Sequence, residues 1–142
     1  MRAPVWFVFE ENSVMAVDKN MNVLIVDDYK TMLRIINNLL KQLGFPNVDE
    51  ATDGAMALDM FKLKNYGLVI SDWNMEPVSG IDLLKQVRTL PTNGNVPFIM
   101  VTAESKTENV IAAKQAGVSN YIVKPFNAET LKGKMVTVLG DF

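Results

Sequence analysis

Residues 68 to 77, Leu68-Val69-Ile70-Ser71-Asp72-Trp73-Asn74-Met75-Glu76-Pro77, run from three large apolar side chains straight into a carboxylate. The run is entered from the turn signal Asn65-Tyr66-Gly67 and closed by Pro77. A short continuous stretch of Leu, Val and Ile between such breakers reads as a strand covered on both faces, the kind found in parallel sheets. Asp72 then stands at the carboxyl end of that strand. Asp commonly begins turns, so whether Asp72 does more than that depends on what ends the other strands.

The rest of the chain after Asn20 repeats one pattern five times: an apolar run, a polar turn, a helical spacing. Asn22 to Val26 reads as a strand, followed from about Thr31 to Leu43 by a helix whose apolar residues are Met32, Ile35, Ile36, Leu39, Leu40 and Leu43, with Gly44 as its C-terminal stop. Val48 to Ala51 is a second strand, and a helix from about Gly54 to Lys64 buries Ala57, Leu58 and Phe61. The quoted strand is followed by a helix from about Ile81 to Thr89 carrying Leu83, Leu84 and Val87. Pro97 to Val101 and Tyr121 to Val123 complete the strands, with helices from Thr107 to Ala116 and Ala128 to Leu139. Strands alternating with helices in this way predict one α/β domain, a parallel sheet with helices on both faces joined by right-handed crossovers. Gly133 inside the last helix costs about 1 kcal/mol relative to Ala.

In open sheets of this class, ligands gather outside the carboxyl ends of the strands. Asp27-Asp28 follow the first strand, Asp72 the third, Thr102 the fourth and Lys124 the fifth. Three carboxylates brought together stay ionised only with a cation among them or a positive group nearby. An all-oxygen, acid-rich site points to a hard cation, and Mg²⁺ needs few carboxylates and keeps its waters. Lys124 supplies a point charge and Thr102 a hydroxyl donor for an anionic oxygen. Together these groups describe phosphoryl transfer with a carboxylate as nucleophile. Asp72 is the favoured acceptor because it stands alone on the central strand, whereas Asp27 and Asp28 are paired as metal holders.

Composition narrows the alternatives. The chain has 142 residues, with neither Cys nor His. That removes thiol nucleophiles, disulfides, imidazole bases and His-ligated zinc, and it suits a reducing, cytoplasmic setting. The net charge is −2, with no Lys/Arg block to attract nucleic acid. No apolar run approaches the roughly 20 residues of a membrane span. Val5-Trp6-Phe7-Val8-Phe9 is too short for a signal sequence and runs into Glu10 and Glu11. Residues 1 to 20 are expected to be a disordered tail or a product of an upstream start, with an edge strand at Val5 to Phe9 as the alternative; residues 21 to 142 form the domain. Neither GxGxxG nor GxxxxGK[ST] occurs, which disfavours a nucleotide or flavin binder.

The segments LIVDD, SDWNM, MVTAE and IVKPF resemble the receiver domain of bacterial two-component response regulators, from about Asn22 to the C-terminus. Trp73-Asn74-Met75, ENVIAAKQAG, Tyr121 and Lys124-Pro125-Phe126 are similar in particular to single-domain chemotaxis regulators of the CheY type. The resemblance implies a flavodoxin-like (βα)5 fold with strand order 2-1-3-4-5. It implies that Asp72 is the phosphoacceptor, that Asp28, Asp72 and the Asn74 carbonyl ligate Mg²⁺ with Asp27 acting through a water, and that Thr102 and Lys124 hold the phosphoryl oxygens. Lys124-Pro125 is implied to be a cis peptide.

The same resemblance makes Tyr121 a switch aromatic, assigns Asn74 and Glu104 to tuning of phosphate loss, and puts Lys106, Val123, Phe126 and Lys134 on or near an output face. The implied partners are a CheA-like histidine kinase as donor, the flagellar motor switch protein FliM as target and a phosphatase; a monomer is expected. Two alternatives stay open: a phosphate sink or another phosphorelay, and, more remotely, an aspartyl-nucleophile phosphatase, although those enzymes carry a second acid where this chain has Asn74. Two departures stand out. Glu76-Pro77 reverses the usual placement of Pro directly after the Met, and Thr107 replaces a common basic residue.

Overall fold

The computed structural model describes residues 17–103 and 106–142. Strands and helices alternate without exception in the order β1 (Val23–Val26), α1 (Lys30–Gln42), β2 (Val48–Ala51), α2 (Gly54–Leu63), β3 (Leu68–Asp72), α3 (Gly80–Arg88), β4 (Phe98–Thr102), α4 (Thr107–Ala116), β5 (Asn120–Val123) and α5 (Ala128–Leu139). The five strands are parallel in the order β2-β1-β3-β4-β5, as the resemblance implies. The sheet therefore reverses its winding between β1, which Asp27 follows, and β3, which ends in Asp72. Ligand crevices of open sheets lie at such a reversal.

Every residue of β1, β3 and β4 is buried, which is what continuous apolar runs achieve only when helices cover both faces. The two-residue strand period divides these side chains between two cores. Leu24, Val26, Val69, Phe98 and Met100 meet Ala57 and Phe61 of α2 and Leu83, Leu84 and Val87 of α3. Val23, Ile25, Leu68, Ile70, Ile99 and Val101 meet Leu33, Ile36 and Leu40 of α1 and Leu131 and Met135 of α5. The edge strand β2 carries Asp49 and Glu50, charges that suit a strand with one free side.

Local chemistry sets most of the helix ends. Asp53 Oδ1 accepts a hydrogen bond from Met56 N at 2.7 Å, Ser79 Oγ from Asp82 N at 3.2 Å and Asn127 Oδ1 from Thr130 N at 2.9 Å, each satisfying a first-turn amide. Gly44, with φ +97°, ends the α1 segment in the left-handed region that glycine adopts at little cost. Not every apolar residue of α1 reaches the core. Its buried stripe is Leu33, Ile36 and Leu40, while Ile35 is 43% exposed; at 3.6 residues per turn, Ile35 sits a quarter turn off that stripe and faces water. β4 also runs one residue further than expected and begins after Pro97, which lacks the amide a ladder uses.

The expected edge strand at Val5 to Phe9 lies outside the described residues. From Val17 the chain packs on the α1/α5 side, with Lys19 Nζ 5.6 Å from the centre of the Phe142 ring. No helix of the described residues is long and apolar enough to cross a membrane.

Two glycines make opposite predictions. A methyl at Gly133 would meet nothing within 4 Å, so Gly133→Ala should raise unfolding stability by about 1 kcal/mol in urea titrations. A Cβ at Gly80 would lie 2.1 Å from the Asp72 carbonyl oxygen, so Gly80→Ala should lower stability by at least about 1 kcal/mol. Equal stability of the two variants would contradict this account of the packing.

Candidate functional site

Three loops at the carboxyl ends of β1, β3 and β5 converge on one group of charges. Asp72 ends β3 and is 6% exposed, Asp27 directly follows β1 and is 1% exposed, and Asp28 beside it is exposed. One oxygen from each of the three carboxylates lies within 4.8 Å of the others. Lys124, one residue past β5, places Nζ 3.0 Å from Asp72 Oδ1 and 3.6 Å from Asp27 Oδ2. Thr102, the last residue of β4, is 7% exposed and pairs in register with Val123. The residues expected to share one rim of the sheet do so.

The surrounding backbone holds these groups in place. Tyr29 N donates to Asp27 Oδ1 at 2.9 Å, and Lys124 N donates to the Thr102 carbonyl at 2.8 Å. Trp73 N donates to the Val101 carbonyl and Gly80 N to the Trp73 carbonyl, both at 2.9 Å, so the loop after Asp72 is anchored at both ends. That loop contains Glu76-Pro77, which is cis, as is Lys124-Pro125. The second was expected from the resemblance; the first was not. The loop and Asp28 line a shallow pocket of about 380 Å³ formed by Asp28, Trp73, Asn74, Met75, Glu76 and Ser79.

The electrostatics follow from burial. Burial pushes the Asp72 carboxyl above the usual carboxylate range and outweighs the hydrogen bond and charge of Lys124. Asp27 is likewise raised, first by burial and then by the charge of Asp72, against the opposing amide of Tyr29. Burial works against the Lys124 ammonium, but its hydrogen bond and ion pair with Asp72 hold its pKa above the ordinary lysine value. Lys124 therefore stays charged at neutral pH. Asp27 Oδ2 is buried with no hydrogen-bond donor. Three carboxylates against one ammonium, with an orphaned buried oxygen among them, form a donor set that suits a hard cation.

The remaining expected residues are more dispersed. Tyr121 packs partly buried against the α2/α3 core, with Lys134 Nζ 5.0 Å from its ring centre. Lys106 is exposed at the start of α4, Val123 is half-buried, and Phe126 is partly buried against the α1/α5 core. Asn74 is exposed in the pocket wall. Glu104 lies outside the described residues. Sequence reasoning passed over Ser79, although a Ser before an apolar helix is an N-cap signal, and over the Tyr29 amide, which no side-chain pattern reveals.

A model of the response regulator receiver domain matches residues 23–136. The chain belongs to that family. The receiver is 53% identical over 119 residues to chemotaxis protein CheY-3 of Vibrio cholerae serotype O1, covering 84% of this chain and 92% of that protein. It is 51% identical to chemotaxis protein CheY of Pseudomonas aeruginosa, over 81% of this chain and 93% of the relative. The solved structure of Vibrio cholerae CheY4 superposes with a TM-score of 0.80 at 32% identity, covering 84% of this chain and 99% of that one. The receiver domain of the Francisella response regulator 1452 gives 0.72 at 35% identity, over 79% and 90% of the two chains. The CheY-type flavodoxin-like fold read from the sequence is the fold of the receiver.

The raised Asp27 pKa has a sign that can be tested. An acid whose folded pKa lies above its unfolded value stabilises the fold only when protonated; that contribution is complete below the ordinary value of 3.8 and is lost as pH rises through the folded pKa. At pH 7 in EDTA, Asp27→Asn should therefore be more stable than the parent by on the order of 1 kcal/mol in urea unfolding. Added Mg²⁺ should stabilise the parent more than the variant. A variant less stable than the parent in EDTA would refute the strain assigned to Asp27.

Proposed function

We propose that the receiver is a phosphorylation-activated, single-domain response regulator of a chemotaxis pathway, working in the cytoplasm, with Asp72 as phosphoacceptor. The observation that carries this reading is the placement of Asp72 Oδ1 3.0 Å from Lys124 Nζ, beside Asp27 and Asp28 at the reversal of the sheet. The identity to CheY proteins over most of their length supports the chemotaxis assignment. The donor is a phosphohistidine on a CheA-like kinase, which accounts for a transfer site in a chain with no His.

In the transfer, an Asp72 carboxylate oxygen attacks phosphorus as the P–N bond to the donor imidazole breaks; the ring leaves with the electron pair and takes up a proton. Mg²⁺, held by Asp28, Asp72 and the Asn74 carbonyl with Asp27 acting through a water, would neutralise charge on the transferring oxygens. Lys124 bears on the same oxygens, and Thr102 offers a hydroxyl. The protein is thus a signalling acceptor that assists its own phosphorylation and dephosphorylation, with Asn74 and Glu104 governing loss of the phosphate.

The new group carries close to two negative charges and competes for Lys124, which now binds Asp72 and Asp27. Lys124 N is bonded to the Thr102 carbonyl, and Tyr121 pairs in register with Met100 of the same strand. Movement at Thr102 and Lys124 therefore reaches Tyr121 through two adjacent strands. The surface carrying Lys106, Val123, Phe126 and Lys134 is read as the output face, with the N-terminal segment of FliM as a helical ligand.

The test is titration of the purified protein with a FliM N-terminal peptide in Mg²⁺, with and without beryllofluoride, using Asp72→Asn as the inactive control. Trp73 reports activation by fluorescence, with Trp6→Phe removing the second signal. Peptide affinity should rise at least about tenfold on activation and only when Asp72 is present. A Trp73 response without peptide binding would turn the reading to a phosphate sink or another phosphorelay. No response at all would reject the site assignment, and turnover of a small phosphoester would turn the reading to an aspartyl-nucleophile phosphatase.

A further inference from the structure

The pocket beside Asp72 has a wall that phosphoryl acceptance by itself does not need. Two of its six lining residues, Asp28 and Glu76, are acids, and none is Lys or Arg. Lys124 is directed at the carboxylates of Asp72 and Asp27. Asp28 is one of the three clustered carboxylates that suit a cation, so its charge would be offset in the loaded site; Glu76 lies outside that cluster. Glu76 is exposed in the same loop, four residues beyond Asp72, and lines the pocket together with Asp28.

The position matters because displacement at phosphorus is in line. The attacking oxygen belongs to Asp72, which is 6% exposed at the floor of the site. A leaving group opposite that oxygen must therefore lie on the solvent side, and exposed Glu76 lines, with Asp28, the pocket next to Trp73 and Asn74 that any such group would have to share. Resting on the acceptor role of Asp72, we infer that Glu76 is a donor-selectivity residue: its carboxylate disfavours donors that depart as anions, such as acyl phosphates, relative to phosphoramidates, whose nitrogen departs neutral or protonated.

The two reactions differ in charge along the path. With acetyl phosphate, the P–O bond breaks and acetate leaves with the electron pair as an anion. With phosphoramidate, the P–N bond breaks and the nitrogen, protonated in the donor, leaves as neutral ammonia. In both, one Asp72 Oδ–P bond forms and the product is the aspartyl phosphate. Acetyl phosphate approaches as a dianion and expels negative charge toward Glu76, whereas phosphoramidate approaches with one net negative charge and expels none. The Coulomb penalty imposed by Glu76 is larger for the first donor, and it is moderate because the site is open to salt.

The experiment compares second-order phosphorylation rate constants for the two donors at saturating Mg²⁺ and fixed low ionic strength. The full chain carries Trp6→Phe, Trp73 fluorescence supplies the rate, and mass spectrometry confirms labelling of Asp72. Glu76→Gln should raise the acetyl phosphate to phosphoramidate rate ratio about threefold, and Glu76→Lys should raise it further. Asp59→Asn, which removes an exposed acid from α2, should leave the ratio unchanged. A constant ratio in both Glu76 variants while both donors still label Asp72 overturns the inference, as does an equal change in Asp59→Asn. If neither donor labels Asp72 in the parent, the acceptor reading itself fails and the selectivity inference falls with it.

Discussion

The site is organised by the cost of burying Asp72 and Asp27 side by side. Two carboxylates almost without contact with water cannot both remain ionised without compensation. Lys124 supplies one positive charge, bonded at 3.0 Å to Asp72 and more distantly to Asp27. One ammonium is too little for three acids, and Asp27 Oδ2, buried without a hydrogen bond and 3.6 Å from that ammonium, marks where the shortfall lies. The fold thus holds a negative imbalance at one rim of the sheet, which a bound cation would redress.

That imbalance is tolerated because the scaffold beneath it is rigid. β1, β3 and β4 are buried throughout, and β3, which ends in Asp72, has neighbours on both sides. The start of α3 is pressed against the Asp72 carbonyl so closely that only glycine fits at position 80. Beside β3, β4 and β5 join Thr102 to Lys124 through a backbone hydrogen bond. Local change at the acid cluster therefore meets a stiff floor and one side, toward Tyr121, where side chains are only half-buried.

Much of this was legible from residue order because the signals are short-ranged. A fully apolar strand such as Leu68 to Ile70 needs cover on both faces whatever follows, and Gly44 ends a helix by its own conformational freedom. The acids, Thr102 and Lys124 were legible as a set because each follows a strand of one parallel sheet, and parallel strands place their carboxyl ends on one side. The exposure of Ile35 was not legible, since an apolar residue near a helical stripe reads as part of it until a neighbouring surface covers or omits it.

Arg88 marks the same boundary more sharply. In the sequence it is a basic residue in the last turn of a helix; in the fold its guanidinium donates to the carbonyls of Gly117 at 2.9 Å, Gly94 at 2.8 Å and Val96 at 2.7 Å, tying α3 to the loop before β4 and to the end of α4. The sequence by itself determined the element types, the parallel sheet and which chemical groups share its rim, because those follow from periodicity and from the residue at each strand end. Only the tertiary structure decided which Asp72 oxygen meets Lys124, which carboxylate oxygen is left without a donor and which acid stands in the pocket wall. Those depend on distances of a few ångströms between segments far apart in the chain, and no local preference encodes them.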